Sequence, residues 1–239
     1  MVKIYKVGGC VRDEFLGLES KDIDFTFVLG DINISVDEGF KVMESWLAER
    51  NYTIFLSTPE MYTIRAKFPK GHKNEGLVAD FVLARKEVGY IPGTRRPILE
   101  LGTIEDDLIR RDFTVNAMAI DEDDNLIDLF DGMSHLKEMI LITPQPAKVT
   151  FDDDPLRIIR AIRFSITKGF SLLHLDYHIS NYNYDLKMEV VSIERIREEL
   201  FKCFKHDTLE TLSMLNHYPL LKNYIFNGTK LWLKPTFEQ

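Results

Sequence analysis

Between Val7 and Phe27 the chain reads VGGCVRDEFLGLESKDIDFTF. Asp22 and Asp24 stand at i and i+2 in a β-rich run, and a strand turns such residues to one face. Two carboxylates side by side repel and need a compensating charge. Two Mg²⁺ ions are the usual compensation where the substrate is a polyphosphate. Gly8 and Gly9 would let the backbone approach phosphate oxygens with its N–H groups. Arg12 would add positive charge for a triphosphate. The plain alternative is an acidic pair capping a turn, with the glycines serving only the chain reversal.

Further candidates follow along the chain. Asp80 lies in the apolar strand LVADFVLA, where an acid is costly without a partner. It could complete a carboxylate triad with Asp22 and Asp24, or sit on a solvent face. DLIRRDFTVNAMAID brings Arg110, Arg111, Asp112 and Asn116 together. Arginine suits phosphate, while Asp and Asn suit ribose hydroxyls. A salt-bridged helix end is the alternative. In DDDPLRIIRAIRF, Asp154 and Arg157 are one helical turn apart, hence on one face. That pair offers an acceptor and a donor suited to the pairing edge of a nucleobase. Arg160 and Arg163 continue the row as a stripe for phosphates or base edges, or as an ordinary solvated face.

Several chemistries find no support. There is no G-x-x-x-x-G-K-[ST] loop and no G-x-G-x-x-G fingerprint, the two common glycine-rich phosphate motifs. His174 and His178 at i, i+4 read as surface or core rather than zinc ligands. Cys10 follows the glycine pair without a neighbouring histidine to activate it. The only other cysteine is Cys203, which fits a reducing, cytoplasmic setting better than a disulfide framework. The first residues read as a strand rather than a signal peptide, and no apolar run approaches the roughly 20 residues of a membrane span. The 239 residues carry a net charge of −8. That disfavours a wholly basic nucleic-acid binder but leaves room for a local basic cleft.

The elements that must position these residues divide in two. Strands are expected at 3–8, 52–57, 61–68 and 77–84, with another in DIDFTFVL and a helix in CVRDEFLG that stops at Gly17. Phe40, Met43, Trp46 and Leu47 have helical spacing. EVGYIPGTRRP reads as a basic, mobile loop. Thr103 and Ser192 are expected helix N-caps. From Phe151 helical spacing dominates, with Leu156, Ile159, Ile162 and Phe164 on one buried side, and Ile193, Ile196, Leu200 and Phe204 on another. The expectation is therefore an α+β head with a small mixed sheet over 1–148 and an all-helical part over 149–239, the change falling near TPQPAK.

In this order, VGGCVRD…KDIDFTF, RRDFTVNAMAID and DDDPLRIIRAIRF resemble the class II CCA-adding tRNA nucleotidyltransferase and bacterial poly(A) polymerase family. SIERIREELFK resembles that family's neck helix, and ARKEVGYIPGTRRP the loop between its carboxylates and its ribose motif. The resemblance implies a polymerase-β-like head followed by a helical neck. It implies transfer of CMP or AMP from CTP or ATP to the 3′-hydroxyl of tRNA or another RNA, with pyrophosphate released. Asp22 and Asp24 would bind two Mg²⁺ ions, with Asp80 where the family has an acid. Gly8, Gly9 and Arg12 would contact the triphosphate, and Arg111, Asp112 and Asn116 the ribose. Asp154 and Arg157 would select the base, supported by Arg160 and Arg163. Asp153-Asp154 stands where the family usually has Glu-Asp. The expected form is short, with head and neck but without the body and tail that grip tRNA, so an oligomer or partner could supply that grip. The alternatives are a poly(A) polymerase-like enzyme, a small-acceptor nucleotidyltransferase, and a non-catalytic nucleotide- or RNA-binding module.

Overall fold

The computed structural model describes residues 2–20, 23–30, 32–90 and 97–228. Nine strands carry the first part of these residues: β1 Val2–Val7, β2 Ile23–Leu29, β3 Thr53–Thr58, β4 Thr63–Lys67, β5 Val78–Leu83, β6 Arg85–Tyr90, β7 Pro97–Leu101, β8 Met118–Ile120 and β9 Leu126–Asp128. The helices are α1 Gly9–Phe15, α2 Val36–Glu49, α3 Ile104–Ile109, α4 Gly132–Lys137, α5 Ala147–Asp153, α6 Leu156–Lys168, α7 Asp176–Ser180, α8 Tyr184–Lys187, α9 Ile193–His206, α10 Thr208–His217 and α11 Pro219–Asn223. The chain forms two compact units, Met1–Ser134 and His135–Gln239. This division precedes the change of sequence texture at 145–151. Residues 139–141 are tied to the helical unit through Leu141 N–H to Ser171 O (3.1 Å) and Ser171 N–H to Met139 O (2.7 Å).

The first unit is built on a seven-stranded mixed sheet in the order β3-β4-β5-β2-β1-β8-β9. β2 runs antiparallel to β1 and parallel to β5. Alternation along β2 gives the sheet two distinct faces. One carries Phe25, Phe27 and Leu29, which join Ile64, Phe81 and Leu83 under Phe40, Met43 and Leu47 of α2. On the other face Val28 packs with Tyr5, Val7, Leu108 and Ala119, and Asp24 and Thr26 share its side of the strand. α2 opens with a capping box between Ser35 and Glu38, so its first orphan N–H groups are satisfied before its apolar side meets the sheet. Trp46 lies at the margin of this core.

Residues expected as a loop behave differently at their ends. Arg85–Tyr90 and Pro97–Leu101 pair as an antiparallel two-stranded sheet, so the hairpin ladder claims part of what composition marks as irregular. Residues 91–96 lie outside the described residues.

The second unit is helical. Leu156, Ile158, Ile159, Ala161, Ile162 and Phe164 of α6 are buried, as are Ile196, Leu200 and Cys203 of α9. Cys203, not Phe204, closes the α9 stripe. α9 starts at the expected cap, with the Ser192 side chain accepting the Arg195 N–H. No helix among the described residues is long and apolar enough to cross a membrane.

Phe27 is fully buried in the sheet core with its ring edge-on to Trp46. Phe27→Ala should cost about 3–5 kcal/mol through lost burial and the cavity left behind. Urea denaturation of wild type and variant measures this, and a loss within experimental error would contradict the placement of the core.

Candidate active site

Strand register assembles the first part of the site. Arg65 of β4 is paired with Asp80 of β5, Asp80 with Asp24 of β2, and Asp24 with Val7 of β1. Paired residues on neighbouring strands point to the same face about 4.8 Å apart, so Asp24 and Asp80 are lateral neighbours. Their mutual repulsion is offset by Arg65, whose Nε and Nη2 donate to Asp80 Oδ1 and Oδ2, each at 2.8 Å. Asp80 thus stands beside Asp24, with both oxygens already accepting from a guanidinium. Asp22 lies outside the described residues.

The glycine turn follows directly from the same row. Gly8 has φ +81°, a left-handed conformation that glycine adopts without steric penalty. A Cβ there would meet Arg111 Nη1 at 2.7 Å and lie 3.8 Å from Asp24 Oδ2. Close approach of glycine, guanidinium and carboxylate therefore depends on the missing side chain. Arg111 is held by Asp107, whose Oδ2 accepts from Arg111 Nε (3.1 Å) and Nη2 (2.8 Å) and also from Thr26 Oγ1 (2.9 Å). Thr26 is two residues past Asp24 on the same strand face. Asp107 is thus a positioning residue that motif reading does not single out. Its signal is the i, i+4 spacing to Arg111.

Arg12 is buried, and its guanidinium makes hydrogen bonds within the first unit. Its Nε donates to Asp13 Oδ1 at 2.8 Å, and its Nη1 donates to Asn116 Oδ1. Asn116 Nδ2 donates to Asp112 Oδ1 at 2.8 Å, and that oxygen also accepts the Phe113 N–H at 2.8 Å. The guanidinium therefore ties the helix after the glycine turn to the Asp112–Asn116 segment. Gly9 lies beneath it, 3.4 Å from Arg12 Nη2 if a Cβ is placed there. Cys10 is buried and donates to Val7 O at 3.1 Å. Burial pushes its thiol up from the ordinary value, which is opposite to what a nucleophile needs.

In the helical unit, Asp154 stands between α5 and α6 with its carboxylate accepting from Leu156 N–H (3.2 Å) and Arg195 Nη2 (2.8 Å). Arg157 Nη1 donates to Thr150 O at 3.1 Å. Arg163 lies farther along the same helix. Its guanidinium pairs with the buried Glu199 of α9 and lies 4.4 Å over the Phe164 ring. Lys202 Nζ donates to the other Glu199 oxygen at 2.9 Å. Burial alone would raise the Glu199 carboxyl, but the Lys202 hydrogen bond and the charges of Arg163 and Arg160 hold it below its usual value.

The Asp24 carboxylate beside the glycine turn is the kind of oxygen donor that a hard divalent cation takes. Among the described residues no group of three or more His, Cys, Asp or Glu is arranged to hold a metal ion.

A family described as the poly A polymerase head domain matches residues 4–142. The chain belongs to the poly(A) polymerase head-domain family. Family members include a CCA-adding enzyme of Buchnera aphidicola, 32% identical over 237 residues, covering 94% of this chain and 50% of that one. An A-adding tRNA nucleotidyltransferase of Aquifex aeolicus is 37% identical over 175 residues, covering 72% of this chain and 19% of that one. Among solved structures, a tRNA nucleotidyltransferase complexed with a primer tRNA and an incoming ATP analogue superposes with TM-score 0.71 at 29% identity, over 97% of this chain and 61% of that one. A CCA-adding enzyme with CTP superposes with TM-score 0.69 at 28% identity, over 92% of this chain and 47% of that one. The chain thus spans 50% of the length of the Buchnera relative and 19% of that of the Aquifex one. The mixed-sheet head and helical part expected of the family are both present.

Two substitutions test this geometry. Asn116→Ala removes the bridge between Arg12 and Asp112 and should destabilise the first unit by about 2 kcal/mol, read as a lower urea midpoint. Glu199 has a depressed folded pKa, so its stabilising contribution is full above the unfolded value near 4.5 and fades as pH falls through the folded value. Glu199→Gln should therefore flatten the loss of stability as pH falls below about 4.5. Parallel acid limbs for the two proteins would contradict the pairing.

Proposed function

We propose that this chain is a template-independent nucleotidyltransferase that adds CMP and AMP from CTP and ATP to the 3′ end of tRNA. The observation that carries the reading is the convergence of Asp24, the Gly8 turn and Arg111 on one end of the sheet. It supports a polyphosphate site, because open backbone, a guanidinium and a metal-type carboxylate meet there. Membership of the family supports the choice of reaction, and the tRNA, CTP and ATP complexes of its relatives support the substrates.

Each residue then has a physical task. Gly8 and Gly9 keep side chains away from the triphosphate. Arg111, braced by Asp107, presents its guanidinium to phosphate oxygens. Asp112 and Asn116, locked to Arg12, form the edge that meets the ribose. Asp154 and Arg157 offer an acceptor and a donor to the base, with Arg160 on the same helix. Mg²⁺ ions held by Asp24 and Asp22 would lower the pKa of the attacking 3′-hydroxyl and neutralise the leaving pyrophosphate. Asp80 stands next to Asp24 with its own charge held by Arg65. The two free, buried cysteines support a reducing, cytoplasmic setting. A second reading, addition of the terminal A alone, is favoured by the similarity to the Aquifex A-adding relative.

Extension of a tRNA lacking its CCA end, with Mg²⁺ and CTP, ATP or both, tests the proposal. Wild type should add nucleotides, and Asp24→Ala and Asp22→Ala should fall to background. Incorporation of A alone, on a tRNA already ending in CC, would select the second reading. No incorporation on any RNA end would overturn both.

A further inference from the structure

The Asp154 carboxylate is held from two sides. Oδ1 accepts the Leu156 N–H at 3.2 Å, capping α6, and Oδ2 accepts from Arg195 Nη2 at 2.8 Å. Arg195 sits in the first turn of α9, where its own N–H donates to the Ser192 hydroxyl at 3.4 Å. The side chains are 51% and 29% exposed for Arg195 and Asp154, so the ion pair adds little to stability. It does fix orientation. One bond to Oδ1 leaves the carboxylate free to swing about that contact, whereas a second bond to Oδ2 sets its plane. Each oxygen keeps acceptor capacity after one hydrogen bond. Beside it, Arg157 is anchored through Thr150 O.

Orientation matters because of what the bases present. Cytosine and adenine carry an amino donor where uracil and guanine carry a carbonyl acceptor. A carboxylate accepts from the amino group and repels the carbonyl, and it discriminates best when it cannot turn aside. Resting on the reading that Asp154 and Arg157 face the incoming base, we infer that Arg195 is a positioning residue for nucleotide selection. It holds Asp154 in the plane that accepts an amino-bearing base and excludes a carbonyl-bearing one. This task is separate from stabilising the helical unit, which Arg163 and Glu199 serve on the same pair of helices.

The test uses the full chain with Arg195→Ala, Arg195→Lys and Asp154→Asn. Calorimetric binding of CTP, ATP, UTP and GTP is measured beside single-nucleotide extension of a tRNA lacking CCA. Arg195→Ala should reduce the CTP-over-UTP preference about tenfold while its thermal midpoint stays near that of wild type. Arg195→Lys should recover part of the preference, since an ammonium supplies the charge without the planar fork. In the Asp154→Asn background, Arg195→Ala should change the ratio no further, because the two act as one unit. Equal weakening of all four nucleotides would mean a structural role and overturn the inference, as would an unchanged ratio or an added loss in the double variant. A wild type that does not separate amino-bearing from carbonyl-bearing nucleotides would instead overturn the reading on which the inference rests.

Discussion

Asp24 and Asp80 stand as lateral neighbours on one sheet face, and like charges at that spacing repel. The first unit is arranged around this repulsion. Arg65 lies next in the same row and takes both Asp80 oxygens. The row ends where β1 stops and Gly8 turns the chain. Arg111, braced by Asp107, reaches the same turn from α3.

The arginines named by motif therefore divide by environment. Arg12 and Arg163 are sequestered in networks with Asp13 and Asn116, and with Glu199. There a planar donor fork joins elements far apart in sequence. Arg111 is braced by Asp107, and Arg157 by Thr150 O with Asp153 nearby on the preceding helix. Residue type alone does not distinguish these roles, because both need the same guanidinium. The partners that each guanidinium holds distinguish them.

Much of the fold was legible in local pattern. Period-two alternation located β1 to β5 within a residue or two, and helical spacing identified the buried sides of α2 and α6. Thr103 and Ser192 were readable as caps because a side-chain oxygen ahead of a helix has one obvious use. The β6–β7 ladder was hidden, since Gly and Pro in EVGYIPGTRRP mark a turn more strongly than their flanks mark strands. In the site, Asp24, Gly8 and Arg111 come together. Asp107, Arg65, Arg195 and Glu199 were not legible. Each acts through a partner 4, 15, 41 or 36 residues away, and three of these four separations exceed any local periodicity.

The parallel pairing of β2 with β5 has a kinetic consequence. A parallel neighbour cannot be reached by a hairpin, so α2, β3 and β4 must be threaded between the two strands. Such non-local closures cost loop entropy before their contacts reward it, and they form slowly. Asp24 and Asp80 meet only when that closure is complete. A nascent or partly unfolded head can hold a native-like antiparallel β1–β2 pair, but it cannot present the paired acids. The ability to engage a charged ligand thus reports on completion of the sheet, and ligand binding in turn draws the folding equilibrium toward the finished head.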